Sequence, residues 1–195
     1  NKPLTAEFKA WVKDNHAALR AIMHGNLNGH AFTIDDRSVH DVSDAELNAI
    51  LERQWENGGL RFRAAFRDVL LDQAANDKLA GFIKDKIRGI VKDPATAALL
   101  ADIDHPYAAK RPPIDTGYFE TFNRDNVTLV DVRADPIEHI TPTGLRLRSG
   151  AEHALDIIVF ATGFDAMTGP LLNLNISGEG GRTLAQSWEA GPRTQ

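Results

Sequence analysis

Leu155-Asp156-Ile157-Ile158-Val159-Phe160-Ala161 is a nearly unbroken apolar run, and it ends in Thr162-Gly163. A short run of this kind, rich in β-branched residues, is how a strand buried on both faces reads in a sheet covered by helices. It predicts an α/β fold. It also marks a ligand-presenting end at Thr162-Gly163: open α/β sheets bind ligands beyond the carboxyl ends of their strands, and glycine lets another molecule approach the backbone. Taken alone, the same stretch equally fits a strand followed by a structural turn.

Just upstream, β-rich runs at Val127 to Val132, Ile137 to Thr141 and Leu145 to Leu147 are separated by Asp135-Pro136, Pro142-Thr143-Gly144 and Ser149-Gly150. They predict strands of a meander or hairpin pair. A proline-rich link from Pro106 to Pro113 precedes them, and before it the period changes to helical. Ala6 to His24 places Phe8, Trp11, Val12, Leu19, Ile22 and Met23 on one face and predicts a single amphipathic helix stopped by Gly25. Asn26 to Val42 reads as a loop. Ser43-Asp44-Ala45-Glu46 has capping-box spacing ahead of Leu47, Ile50, Leu51 and Trp55, and Gly58-Gly59 closes that helix. Phe62 to Leu71 and Asn76 to Val91 read as two further helices, and Asp93-Pro94 supplies an N-cap and a first-turn proline for a short one. Trp11, Trp55 and Trp188 lie on helical faces and are expected in the core.

With 195 residues, 43% hydrophobic and 25% charged, the chain can bury one ordinary core or two small ones, which excludes a disordered tail. The 22 Lys and Arg against 27 Asp and Glu give a net charge of -5, so no footprint for nucleic acid or an anionic membrane is present. Absence of cysteine removes disulfides, thiolate metal sites and cysteine nucleophiles, and is compatible with a reducing cytoplasm. No apolar run approaches the roughly 20 residues that span a bilayer. Asn1 to Thr5 lacks an initiator methionine and a signal-peptide pattern, and Gly191 to Gln195 closes no helix or strand, so both ends are expected to be cuts.

Seven histidines (His16, His24, His30, His40, His105, His139, His153) never adopt metal-ligand spacing, so surface positions and no metal are expected. Gly178-Glu179-Gly180-Gly181 has Thr183 where a dinucleotide fingerprint needs its third glycine, and reads as a tight turn. Neither a phosphate-loop lysine motif nor a Gly-x-Ser-x-Gly elbow occurs. Lys110-Arg111 places adjacent cations in the proline-bounded loop between the two halves, where ligand sites are favoured, although exposed basic pairs are common.

The long ordered stretch Lys110-Arg111-Pro112-Pro113-Ile114-Asp115-Thr116-Gly117-Tyr118-Phe119-Glu120-Thr121-Phe122-Asn123-Arg124-Asp125-Asn126-Val127, followed by Asp156 to Asp165, closely resembles Baeyer–Villiger monooxygenases of the cyclohexanone and phenylacetone monooxygenase type. Weaker resemblance extends over Asp41 to Phe66, Asn76 to Leu100 and Trp188 to Thr194. Proteins of this family are much longer and hold FAD and NADPH on two Rossmann-like dinucleotide-binding domains, whose glycine fingerprints this chain lacks. The resemblance therefore implies an internal segment: 1–105 as the helical insert and end of the NADP-binding domain, 106–195 as a linker and β-rich part returning to the FAD-binding domain. Its partners are then the missing N- and C-terminal parts of the parent chain.

What the resemblance implies for chemistry is a monooxygenation in which O2 is the oxidant and NADPH the electron donor, inserting oxygen next to a ketone carbonyl to give an ester or lactone. Arg111 aligns with the catalytic arginine, which also contacts cofactor; its permanently charged fork of donors suits developing negative charge. Lys110 aligns with the residue that reaches the 2'-phosphate of NADPH, and Ala161-Thr162-Gly163 with the small-residue element packed near both nucleotides. Asp165 is expected to join domains through hydrogen bonds. Ala108-Ala109 stand where related proteins often carry Gly-Cys, a departure that alters the loop's backbone freedom. The alternatives are a related flavin monooxygenase acting on nitrogen or sulfur, or a non-catalytic interaction module. By itself the chain is expected to show no turnover and little FAD affinity, because the helix N-terminus that binds pyrophosphate is not among these residues.

Overall fold

Thr5 opens the first helix by accepting the Phe8 N–H on its hydroxyl at 3.1 Å, the usual way a side chain satisfies an orphan donor. The computed structural model describes residues 3–26, 29–163 and 167–193. The chain divides into two units, Asn1–Asp131 and Val132–Gln195.

The first unit is helical. In place of the single helix expected over Ala6 to His24 there are two, α1 (Ala6–Asp14) and α2 (His16–His24), parted at Asn15. Asn15 leaves helical geometry at φ -104° and ψ 14°, and its side chain turns back to the Trp11 carbonyl at 2.9 Å, a local bond with which asparagine competes against the helix. Neither helix buries a residue, and Trp11 is 51% exposed rather than in the core. α3 (Asp44–Asn57) starts at Ser43 and stops where Gly58 turns to φ 68°. α4 (Gln73–Ile90) begins three residues earlier than the periodicity predicts because Asp72 accepts the Ala75 N–H, and α5 (Pro94–Ala101) is capped by Asp93. Phe62 to Leu71 is not an α-helix: Gly59–Ala64 forms a tight 3-10 turn, followed by irregular turns.

The core of this unit gathers Val39, Leu47, Ile50, Leu51, Phe62, Phe66, Val69 and Leu79, with Trp55, Phe82 and Tyr107 packed against them. Trp55 therefore serves the core as expected. Val39 reaches it from the segment read as a plain loop, pinned there by Asp68, which accepts its N–H at 3.1 Å. A second cluster, Ile87, Val91, Ala97 and Ala101, receives Phe119 from α6 (Tyr118–Thr121) and Phe122 just after it. Asn123 fastens that segment to the end of α4 by donating to the Ile90 carbonyl and accepting the Lys92 N–H, both at 2.8 Å.

The second unit is a three-stranded antiparallel meander, β1 (Ile137–Thr141), β2 (Gly144–Leu147) and β3 (Glu152–Ala154), with Thr141 opposite Gly144 and Leu145 opposite His153. β3 went unread in the sequence. Gly144 is required by close approach, since a Cβ there would overlap the His153 carbonyl oxygen. The expected strand over Val127 to Val132 does not form; Val127 instead donates to the Arg124 carbonyl in a turn. Two short helices follow, α7 (Gly169–Asn173) and α8 (Leu184–Ser187), with Gly178-Glu179-Gly180-Gly181 as the tight turn expected and Trp188 half-buried after α8.

The predicted doubly buried strand does not form among the described residues: none runs over 156–163, and Ile157, Val159 and Phe160 are 80%, 82% and 71% exposed. A ladder needs a neighbour on at least one side, and among the described residues none offers itself. Only Gly144 and Leu147 are buried among the described residues of 132–195. No helix among the described residues is long and apolar enough to cross a membrane.

Candidate functional site

Lys110 and Arg111 are presented by a turn whose foundation is the core. Phe62 packs edge-on against Trp55 and Tyr107 and lies 5.7 Å from the Phe82 ring, so Tyr107 is part of the aromatic cluster. Burial pushes the Tyr107 phenol up, against the opposing charge of Arg63. The chain then turns at Pro106 to Ala109, closed by the Ala109 N–H donating to the Pro106 carbonyl at 3.1 Å. Ala108 sits at φ 66°, left-handed for a residue with a Cβ.

Beside the turn is an open cavity of about 360 Å³ lined by His30, Leu60, Arg63, Ala108, Arg111 and Pro112. None of the described residues lining it is acidic, and two of them, Arg63 and Arg111, carry guanidinium groups. A second hollow, against Pro113 and Ile114, shares Leu60, Arg111 and Pro112. His30 is held by a parallel stack on Phe32 at 5.0 Å, and Arg61 covers the same ring at 5.4 Å. Asp104 faces Lys110. Its carboxyl lies below the ordinary value, first because His105 Nδ1 bonds it at 2.9 Å and next because of the Lys110 charge.

Lys110 and Arg111 are thus adjacent on one exposed loop, which lies within the first unit rather than between two halves as the sequence reading expected, with Arg111 at the cavity. Ala161, Thr162 and Gly163 belong to the second unit, all three exposed, with Gly163 at φ 88°. Asp165 lies outside the described residues. Arg63 and His30 were missed, since they come from a 3-10 turn and a loop far apart in sequence and no spacing links them to Arg111. Among the described residues no group of three His, Cys, Asp or Glu side chains could hold a metal ion.

No family model matches the chain. It is 47% identical over 194 residues to a Baeyer-Villiger monooxygenase of Pseudooceanicola batsensis, covering 98% of this chain and 35% of that protein. It is 43% identical over 197 residues to a cyclopentanone 1,2-monooxygenase of Comamonas sp., covering 100% and 36%. A phenazine N-monooxygenase of Lysobacter antibioticus is also 43% identical, over 157 residues, 80% of this chain and 29% of that one. Among solved structures, a steroid monooxygenase bound to NADP superposes with a TM-score of 0.90 at 47% identity, covering 99% of this chain and 37% of that one. A complex of OTEMO with FAD and NADP does so with a TM-score of 0.92 at 38% identity, covering 99% and 36%. The chain therefore spans about a third of the length of the curated relatives it matches.

Proposed function

We propose that this chain, homologous along its length to about a third of the Baeyer–Villiger flavoprotein monooxygenases, supplies the cationic loop at which such an enzyme binds NADPH and oxidises a ketone. The observation that carries the reading is Arg111 at the mouth of a cavity shared with Arg63, next to Lys110 on the same turn. A cavity lined by two guanidinium groups and no described carboxylate fits the negative charge of a phosphorylated nucleotide. Lys110 would hold the 2'-phosphate as a point charge. Arg111 would donate to cofactor and to negative charge developing on oxygen during the reaction, a role for which its fixed charge and planar fork suit it. Ala161, Thr162 and Gly163, small and exposed, leave the backbone open to a flat group. When bound, NADPH supplies the reducing equivalents and FAD the oxygen-activating chemistry.

Under this reading 1–105 is the helical insert and end of the NADP-binding domain, and 106–195 leads back to the FAD-binding domain. The sequence contains no Gly-x-Gly-x-x-Gly turn, so both pyrophosphate sites and the remaining pocket come from other parts of the parent chain. The substrates are a ketone and O2, the product an ester or lactone, and the NADPH requirement favours the cytoplasm. The 195 residues alone are then inactive.

The test is Arg111→Ala in the full-length protein. NADPH oxidation persists while ester formation disappears; retained ester formation removes Arg111 from the chemistry. Lys110→Ala raises KM for NADPH by roughly tenfold, the equivalent of one hydrogen bond to a charged group, and leaves NADH unaffected.

A further inference from the structure

In the turn Pro106-Tyr107-Ala108-Ala109, the positive φ falls on the third residue. That is the signature of a turn whose central peptide is flipped relative to the common type I arrangement, and glycine is the residue that takes this position freely. Alanine is strained there. The peptide between Tyr107 and Ala108 must therefore be held in its flipped orientation by something outside the turn.

Asn76, on the first turn of α4 and only 5% exposed, holds it. Its Nδ2 donates to the Tyr107 carbonyl at 3.0 Å and to the Val69 carbonyl at 2.9 Å, and its Oδ1 accepts the Tyr107 N–H at 2.8 Å. The Tyr107 carbonyl is the oxygen that reverses direction if the central peptide flips. Flipping would take it away from Nδ2 and break one of the bonds of a buried amide, which is costly. The amide is also directional: two carbonyls and one N–H converge on it, a set that two donor hydrogens and one acceptor satisfy and a carboxylate does not.

We infer that Asn76 is a positioning residue for Lys110 and Arg111: by fixing the Tyr107–Ala108 peptide it sets the direction in which the two cations leave the turn. This rests on the reading of that pair given under the proposed function. Asn76 touches neither substrate nor cofactor, and it acts through the backbone of Tyr107.

The experiment compares Asn76→Asp and Asn76→Ser in the full-length protein with FAD bound. Asn76→Asp keeps the shape and the acceptor but sets a single oxygen, in place of Nδ2, against both carbonyls; Asn76→Ser is too short to reach Tyr107. Both lower the ester formed per NADPH consumed and raise KM for NADPH, with a loss in kcat/KM on the order of 10- to 100-fold, as expected for catalytic groups displaced by about 1 Å. Adding Ala108→Gly to Asn76→Ser restores most of that loss, because glycine keeps the turn without the clamp. Should the Asn76 variants fail to fold, Ala108→Val, which opposes the positive φ from within the turn, gives the same fall in ester per NADPH. Unchanged coupling in the folded variants, a loss that Ala108→Gly does not rescue, or an unaltered ratio in Ala108→Val each overturns the proposal. If Lys110→Ala and Arg111→Ala themselves leave both readouts untouched, the reading of the pair fails and this inference falls with it. If they act and the Asn76 variants do not, only this inference fails.

Discussion

Ala108 concentrates the residue-scale physics of the loop. At φ 66° its Cβ crowds the backbone, which costs about 1 kcal/mol relative to glycine. Ala108→Gly is therefore expected to stabilise the helical unit by about 1 kcal/mol, read as a higher urea midpoint with an unchanged slope. A lower midpoint would mean that the freedom gained by the unfolded chain outweighs the relieved strain. The family resemblance pointed at this position, since it sets Ala108-Ala109 where related proteins often carry Gly-Cys, but nothing in the sequence signalled the backbone angle or Asn76. Asn76 is 31 residues from Tyr107, and its amide is one asparagine among many until the fold brings the two together. Lys110-Arg111 was legible because adjacent cations between prolines are visible as written; Arg63 and His30 were not, because a cavity has no spacing.

At the scale of elements, legibility followed the caps. Ser43 and Asp93 each accept a backbone N–H at a helix start, a local bond that sequence spacing announces, whereas Asp72, which caps α4 in the same way, went unread and the start of that helix was placed three residues late. Phe62 to Leu71 misled because its apolar residues have helical spacing, yet Gly58 and Gly59, both at positive φ, lead it into 3-10 and irregular turns that bury Phe62, Phe66 and Val69 by tertiary packing. The segment before α3 is tied down by charge. Arg37 donates Nε and Nη2 to the two oxygens of Asp35 at 3.0 and 2.8 Å and Nη1 to Glu46 at 2.7 Å. The guanidinium lowers the Asp35 carboxyl to about 2, below an unfolded value near 3.9. Between those values the unfolded chain binds the extra proton, so this contribution is whole above about pH 4 and is lost as pH falls towards 2. Asp35→Asn should flatten that part of the acid-unfolding profile of the chain, measured by circular dichroism. An identical profile in the variant would show that the pair is too exposed to solvent to matter.

The whole molecule differs from its sequence reading most where a strand depends on what lies beside it. Leu155 to Ala161 has the composition of a doubly covered strand, and composition is all that a sequence holds; pairing and cover are supplied by neighbours. Here Ile157, Val159 and Phe160 lie open next to a meander with hardly any buried residue of its own, although the chain superposes on solved monooxygenases that are nearly three times as long. An exposed apolar segment with free backbone donors and acceptors is a template for association. Purified alone, the 195 residues should therefore self-associate at tens of micromolar in sedimentation velocity, and Ile157→Lys with Val159→Lys should shift them towards monomer, since charge on an open edge opposes pairing. A wild-type chain that stays monomeric, with the double variant indistinguishable from it, would mean that the apolar run needs no cover. The physical case for a segment completed by the rest of a flavoprotein would then give way to that for a free-standing interaction module.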